Sequence, residues 1–579
     1  MDNKLIVEYP IIDDFLNHSY FNLMREIYSN INMIELSKQL EEFYEYYLKK
    51  IIYVLNKIHN VKFSEKYWRI IIGPWLLHYI HVSYDKYLIS DLIQKKNIVL
   101  NTDYFSENHY YVPLHTYSFF QLIETEKYNL QLLKNFISES NNKKNNSKFI
   151  FSVKNFENKE SLYKSLLNKA MFYISKMIYK RNLSILYSTN FDKKSLIKIY
   201  FKTKLKFVTP FSVKNRIKSE LDLKLRREIQ NIIMNYNLKN HAQFIDEKFE
   251  RIIDRCISYN IPLCFIEGFK ELDSKAKEIF NITPIKIFTS TATHYDDLFK
   301  IWMAYMKENR ESILIGMQHG GVYGSSAYTW YEEHEKKIND YYFTWGWEEN
   351  SNDCNKIIPM FSQKLINIKS KDHNITSKNR ITNQILIVTT NHPKFVFRFP
   401  NNPVSHYNYF ILFKRFLNNI PKNLKRYLKI RFYPKDFGWN REKLFKEEIM
   451  VCDIDDYKRN FYSELLSSKI YICDHPSTTF LEALNLNVPT ILFWDPKDHP
   501  MRKEAEEYYN DLMNVGILHK TPEDAVNHLI KIIDSVEEWW DDKTTQTIRK
   551  KFIERFSYTD NNYSESLRKF INTLDKLEL

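Results

Sequence analysis

The sequence predicts an α/β protein of two Rossmann-like domains facing a cleft, with an N-terminal helical region and C-terminal helices. Three observations carry this. Short apolar runs alternate with helical patterns from about 150 to 366 and again from 384 onward, and repeated strand–helix–strand units signal open parallel sheets. A polar stretch, "NIKSKDHNITSKNRITNQ" at 367–384, separates the two rhythms and reads as a linker. At 579 residues the chain exceeds what one hydrophobic core usually serves.

Residues 1–135 carry helical spacing, as in "YFNLMREIYSNINMIELSKQLEEFYEYYLKKIIYVLNKI". In "YWRIIIGPWLLHYIHVSYDKYLISDLI", 67–93, Gly73-Pro74 is expected to end one element and begin another, because proline suits a helix's first turn. Trp68, Trp75 and Tyr79 read as core; Arg69, His78, His81 and Asp85 either line a cleft or are ordinary polar helix residues. The second segment, 150–366, offers strands at "IPLCFIEGF" (261–269), "IKIFTS" (285–290), "ESILIGMQHGG" (311–321) and "DYYFTWGW" (340–347), with the amphipathic "YDDLFKIWMAYMKENR" between the second and third. In the third, 384–579, strands are expected at "QILIVTT", "RYLKIRFYP", "KIYICDHPSTT" and "VPTILFW", with helices between them and a helical 500–579 packing back over the domains.

Composition excludes several classes. Hydrophobic residues make up 44% of the chain, with 41 Tyr and 40 Phe, which rules out disorder. The net charge of +13 is spread out; "NNKKNNSK" at 142–149 reads as a polar loop rather than a nucleic-acid arm. Cys256, Cys264, Cys354, Cys452 and Cys473 lack C-x-x-C spacing, so no disulfide framework or zinc knuckle is expected and a reducing cytosol fits. No signal peptide or membrane-spanning run is legible, which leaves peripheral membrane contact at most.

Ligands of open α/β sheets bind beyond the carboxyl ends of the strands, so chemistry is sought there. The chain has 9 glycines, and four of them, Gly316, Gly320, Gly321 and Gly324, fall within "IGMQHGGVYGSS" at 315–326. Gly320 and Gly321 would let backbone approach a ligand, beside Gln318 and His319, whose imidazole can take a proton from a hydroxyl. In "DHPSTTFLEA", Ser477, Thr478 and Thr479 sit where a helix should begin, which suits either phosphate binding or simple helix capping; Glu482 lies one turn on, within reach of a ribose. Dinucleotide, P-loop, zinc-protease and hydrolase-elbow motifs are absent from the sequence.

Taken in order, "YWRIIIGPWLLHYIHVSYDKYL", "QHGGVYG" with "YYFTWGW", "RFYPKDFGW" and "DHPSTTFLEALNLNVPTILFWD" resemble a family of transferases associated with bacterial O-antigen and surface-polysaccharide gene clusters, itself similar to GT-B glycosyltransferases. The resemblance implies a GT-B-like fold, a nucleotide-sugar donor in the C-terminal half and a glycan or lipid-linked glycan acceptor in the N-terminal half. "DHPSTT" is also similar to the CMP-holding motifs of GT-B sialyltransferases. Carried over, His475, Ser477, Thr478 and Thr479 would contact the phosphate, Glu482 the ribose, and Arg431 and Lys435 would neutralise the leaving nucleotide. No cofactor and no metal are implied, the electrostatic work falling to fixed cations and helix N-termini.

The resulting expectation is a cytoplasmic glycosyltransferase, in peripheral contact with the inner membrane face, that uses a CMP- or UDP-sugar and no nucleic acid. His319 is the expected general base, with Asp296 or Asp297 as the rival acid-base group. The alternatives are a CDP-polyol phosphotransferase, a nucleotide-sugar epimerase, and a non-enzymatic glycan- or nucleic-acid-binding protein.

Overall fold

Two long helices follow a short strand, Ile6–Tyr9, and a short helix, Ser19–Tyr28, at the start of the described chain. A computed structural model describes residues 6–9, 19–102, 109–140, 150–154, 174, 177, 183–209, 217–236, 246–349, 356–369, 383–560 and 562–577. The loop expected at 142–149 and most of the linker expected at 367–384 lie outside them. Helix α1 (Met33–His59) starts where the Asn32 side chain accepts from the N–H groups of Ile34 and Glu35 and ends at left-handed Asn60. Helix α2 (Glu65–Lys95), capped by Ser64, runs straight through Gly73-Pro74. The break expected there does not occur. Residues Tyr67 to Ser83 of α2 are all buried, and burial on every face holds the helix together despite the hydrogen bond that Pro74 cannot donate.

The chain forms two compact units, residues 1–187, 208–312 and 393–404 in the first, and 188–207, 313–392 and 405–579 in the second. These cut across the segments 1–135, 150–366 and 384–579 drawn from the sequence. In the first unit, β1 (Ser184–Tyr187) and β2 (Lys286–Thr289) pair in parallel, and α3 (Asp297–Arg310) packs against α2. The strand expected at 261–269 is instead a 3₁₀ turn, Leu263–Phe265, followed by a helix from Phe269. Pro262 has no N–H to give a ladder, and the Cys264 N–H is taken by the Leu114 carbonyl.

The second unit holds β3 (Ile313–Met317), α4 (Trp330–Ile338), β4 (Tyr341–Thr344) and β5 (Lys356–Pro359), with β4 between β3 and β5 and all three parallel. It also holds a complete Rossmann-like sheet. Its strands are β6 (Ile385–Val388), β7 (Leu428–Arg431), β8 (Asp453–Ile454), β9 (Ile470–Cys473), β10 (Thr490–Phe493) and β11 (Leu518–His519), in the order β8-β7-β6-β9-β10-β11. Every pairing is parallel. The order reverses between β6 and β9, the switch point at whose carboxyl end ligands of such sheets bind.

One apolar cluster explains why β3–β5 belong with the second sheet: Tyr323, Tyr342, Trp345 and Trp347 share it with Leu386, Tyr471, Phe480 and Leu492. Two of the expected C-terminal helices, α7 (Lys503–Asn514) and α8 (Lys543–Phe556), close over the same cluster, Tyr509 meeting Phe552 edge-on at 5.1 Å.

Candidate active site

The glycine-rich loop leaves β3 and is fixed by Gln318. That side chain is fully buried and makes three hydrogen bonds: its Oε1 accepts from the Trp345 N–H and the Trp347 Nε1–H, both at 2.8 Å, while its Nε2 donates to the Gly320 carbonyl at 2.7 Å. Three such bonds, each worth about 1 kcal/mol net, make Gln318 the anchor of the loop. Two glycines are then dictated by space. Gly324 has φ +72° and lies against the Trp347 indole. A Cβ on Gly321 would fall 2.7 Å from the Ser477 carbonyl oxygen and 2.8 Å from the Thr478 Cα. The QHGG loop is therefore seated on the Ser477–Thr478 turn, within one compact unit.

His319, its neighbour, is a fifth exposed and sits with Nδ1 3.3 Å from the Glu335 Oε1 of α4. Glu335 is buried and accepts from Tyr323 OH at 3.1 Å and from Tyr342 OH at 2.7 Å, one phenol on each oxygen. Burial pushes its carboxyl up to about 7, against the opposing pull of His319 and the two phenols. A carboxylate facing Nδ1 favours the proton on that nitrogen and leaves Nε2 as the basic atom, the arrangement a general base requires.

The second element lies at the carboxyl edge of the second sheet. After β9, the Asp474 Oδ1 meets His475 Nδ1 at 2.8 Å, and its Oδ2 accepts from Tyr409 OH at 2.7 Å. Tyr409 belongs to α5 (Pro403–Asn419), and its hydroxyl also accepts from the Thr390 N–H beyond β6, so the two switch-point strands are tied through one phenol. Burial works against a charged His475, but Cys473 and Asp474 outweigh it and hold the imidazole up at about 10, an imidazolium at neutral pH. The half-buried His499 is driven the other way, to about 3, by loss of solvent first and then by the charges of His475 and His392. Helix α6 (Thr478–Asn485) begins here. Ser477 caps it, its Oγ accepting from the Thr479 N–H at 3.3 Å and lying 2.8 Å from the Thr479 hydroxyl, which Tyr471 OH holds at 2.9 Å. The capping alternative is thus realised by Ser477, whose side chain satisfies one of the N–H groups that open the helix. The ligand atoms of Cys473, Asp474 and His475 also lie within 4.8 Å of one another, close enough to share a metal ion.

Other expected site residues have structural partners. Glu482 is buried and paired with Lys364 at 2.7 Å and Tyr462 OH at 3.1 Å. Arg431 is held by Asp455 at 2.5 Å, and Lys435 is exposed over the Phe437 ring. In the first unit, Asp297 is fully buried between Lys300 at 2.7 Å and the Thr116 N–H and hydroxyl, each at 2.7 Å. Asp296 caps α3 and accepts from Tyr187 OH at 2.6 Å. Those bonds occupy the carboxylates that acid-base chemistry would need.

Sequence reading missed Glu335, Tyr323, Tyr342 and Tyr409. Arg441, a cation only 5% exposed beyond β7, is occupied as Arg431 is, donating to Asp436 at 3.0 Å and to the Tyr433 carbonyl at 2.5 Å. Glu335 lies in "WYEEHEKKI", which reads as a solvated charge run. The available signal was the flanking Trp330 and Ile338, eight apart and both buried, which turn that helix inward.

A family profile described as "LIC12162 family transferase" matches residues 13–571. No curated protein matches the sequence. Among solved structures, the chain is similar to the UDP-GlcNAc 2-epimerase of Methanocaldococcus jannaschii, solved with UDP-GlcNAc and UDP, at 12% identity over 68% of this chain and 99% of that one, TM-score 0.35. It is similar to MurG of Acinetobacter baumannii at 7% identity over 69% and 100%, TM-score 0.32. A third is the wall teichoic acid polymerase TagF, at 11% identity over 71% and 94%, TM-score 0.29. Likenesses this distant carry no argument about activity.

Proposed function

The chain belongs to the LIC12162 family of transferases, and on that premise we propose that it moves a sugar from a CMP- or UDP-type donor to a hydroxyl of a growing bacterial surface glycan such as O-antigen or capsule. The observation that supports the reading is Gly321 seated on Ser477–Thr478, which brings the His319 loop and the turn before α6 together in one compact unit. His319, oriented by Glu335, takes the proton of the acceptor hydroxyl as it attacks the anomeric carbon. The nucleotide leaves with the bonding electrons of the glycosidic oxygen, and the N-terminus of α6, Ser477, Thr478, Thr479 and the His475 imidazolium stabilise its phosphate. In this reading fixed charges rather than a metal do that work. Catalysis takes place in the cytoplasm, with an acceptor at the inner membrane face; no helix among the described residues is long and apolar enough to cross a membrane.

The test is a thermal-shift titration against CMP, UDP, GDP and CDP with the native chain and His475→Ala. One nucleotide should raise the native midpoint and fail to raise the variant's, since a ligand bound only by the folded state stabilises by mass action. No response from any nucleotide would remove the donor site and favour a binding protein. With the donor class known, phosphorus in the product would identify polyol-phosphate transfer, and donor conversion without acceptor would identify an epimerase.

A further inference from the structure

The first unit contains a second group of histidines that the proposed reaction does not use. His78 and His81 lie on α2, three residues apart and fully buried. The segment Pro393–Val404 belongs to the same unit and is fixed to both. The Phe397 ring packs edge-on to His78 at 4.6 Å and against Phe120 at 5.4 Å. The Phe399 N–H donates to His81 Nδ1 at 3.0 Å, and its ring meets Tyr28. Arg398 stands between these two anchored residues, and its charge acts on His78, His81 and His294 together.

Hydrogen bonding fixes the tautomers. A backbone N–H can only donate, so His81 Nδ1 carries a lone pair and the neutral ring's proton is on Nε2. His78 Nδ1 faces the Pro74 carbonyl at 2.6 Å, which can only accept, so there the proton is on Nδ1. His81 Nε2 is therefore an N–H donor with no partner, inside a residue with no exposed surface. Such a donor is rare in a folded protein and calls for an acceptor. The nearest carboxylate on α2, Asp85, is already taken by Lys86 at 2.5 Å and by Tyr28.

We propose that the first unit binds an oxyanion, a phosphate or a carboxylate, between His81 Nε2–H and the Arg398 guanidinium. Charge-assisted bonds from a guanidinium and a neutral N–H suit either group. That this anion is part of the acceptor rests on the transferase reading above; that the unit binds an anion does not.

Binding of inorganic phosphate and of acetate, measured by calorimetry, tests this with four chains: native, Arg398→Gln, His81→Asn and His81→Gln. Asparagine supplies an acceptor near Nδ1 but no donor at Nε2, whereas glutamine places an amide N–H2 there. The expected result is at least tenfold weaker binding for Arg398→Gln and His81→Asn and near-native binding for His81→Gln. Phosphate alone would identify a phosphorylated ligand, acetate alone an acidic sugar, and both a general oxyanion site. His475→Ala serves as the control for the second unit and should leave this binding intact. No binding by the native chain, binding unchanged in Arg398→Gln and His81→Asn, or binding lost only in His475→Ala would each overturn the proposal. Should Arg398→Gln and His81→Asn misfold, native-chain ¹⁵N imidazole resonances decide, since the His81 Nε2–H signal must shift on adding phosphate or acetate and its failure to move also overturns it.

Discussion

Replacing Glu335 by Gln should stabilise the fold while slowing the reaction. A carboxyl raised from 4.5 to about 7 by burial is harder to ionise inside the protein than in the unfolded chain. At about 1.4 kcal/mol per pH unit that amounts to about 3 kcal/mol. The sign follows from proton binding: between pH 4.5 and 7 the folded protein holds the Glu335 proton and the unfolded chain does not, so stability falls as pH rises across that window and stays low above it. Glutamine removes the dependence and still accepts from one of the two phenols. Urea denaturation from pH 5 to 9 should show the variant gaining about 1–3 kcal/mol on the native chain at pH 8 and little at pH 5. Activity should move the opposite way, the native rate rising through about pH 7 as Glu335 ionises toward His319 and the variant losing both that rise and at least about tenfold in turnover. A variant equally less stable at both pH values, with its pH–rate profile unchanged, would refute the assignment of Glu335 as a strained carboxylate serving His319.

Substituting His319 with Ala should cut turnover by at least about a hundredfold with nucleotide-induced stabilisation intact, and loss of both together would place His319 in binding instead. Gly321→Ala should cost about 1–3 kcal/mol in chemical denaturation, because its new methyl meets main chain at Ser477 and Thr478 rather than a flexible side chain that can turn away.

The parallel sheets were legible because fully buried strands leave continuous apolar runs, as "ILIV" at 385–388 and "IYIC" at 470–473 show. Local rules misled where tertiary burial outweighed them: Pro74 sits inside α2 because that helix is packed all round, and 261–269 is apolar because it is core, not because it pairs as a strand. At the site, glycine density pointed to the QHGG loop, whereas the partners of its histidine were hidden. Glu335 looks like one charge among several on a surface helix, and only the fold brings Tyr323 and Tyr342 onto its two oxygens. Arg431 and Asp297 show the reverse. Each had the right chemistry at a strand end or helix start, and each is occupied by an ion pair that spacing cannot disclose.

The seat of Gly321 on Ser477–Thr478 also bears on inheritance. Two stretches far apart in the gene meet main chain to main chain, with no side chain between them to absorb a misfit. A chimaera with its crossover between them would join a loop from one parent to a turn from the other, and only parents matching in both would yield a closed site. In recombination or in drift, "QHGG" and "DHPSTT" should therefore travel as one heritable part, and a library that shuffles them independently should lose most of its active members.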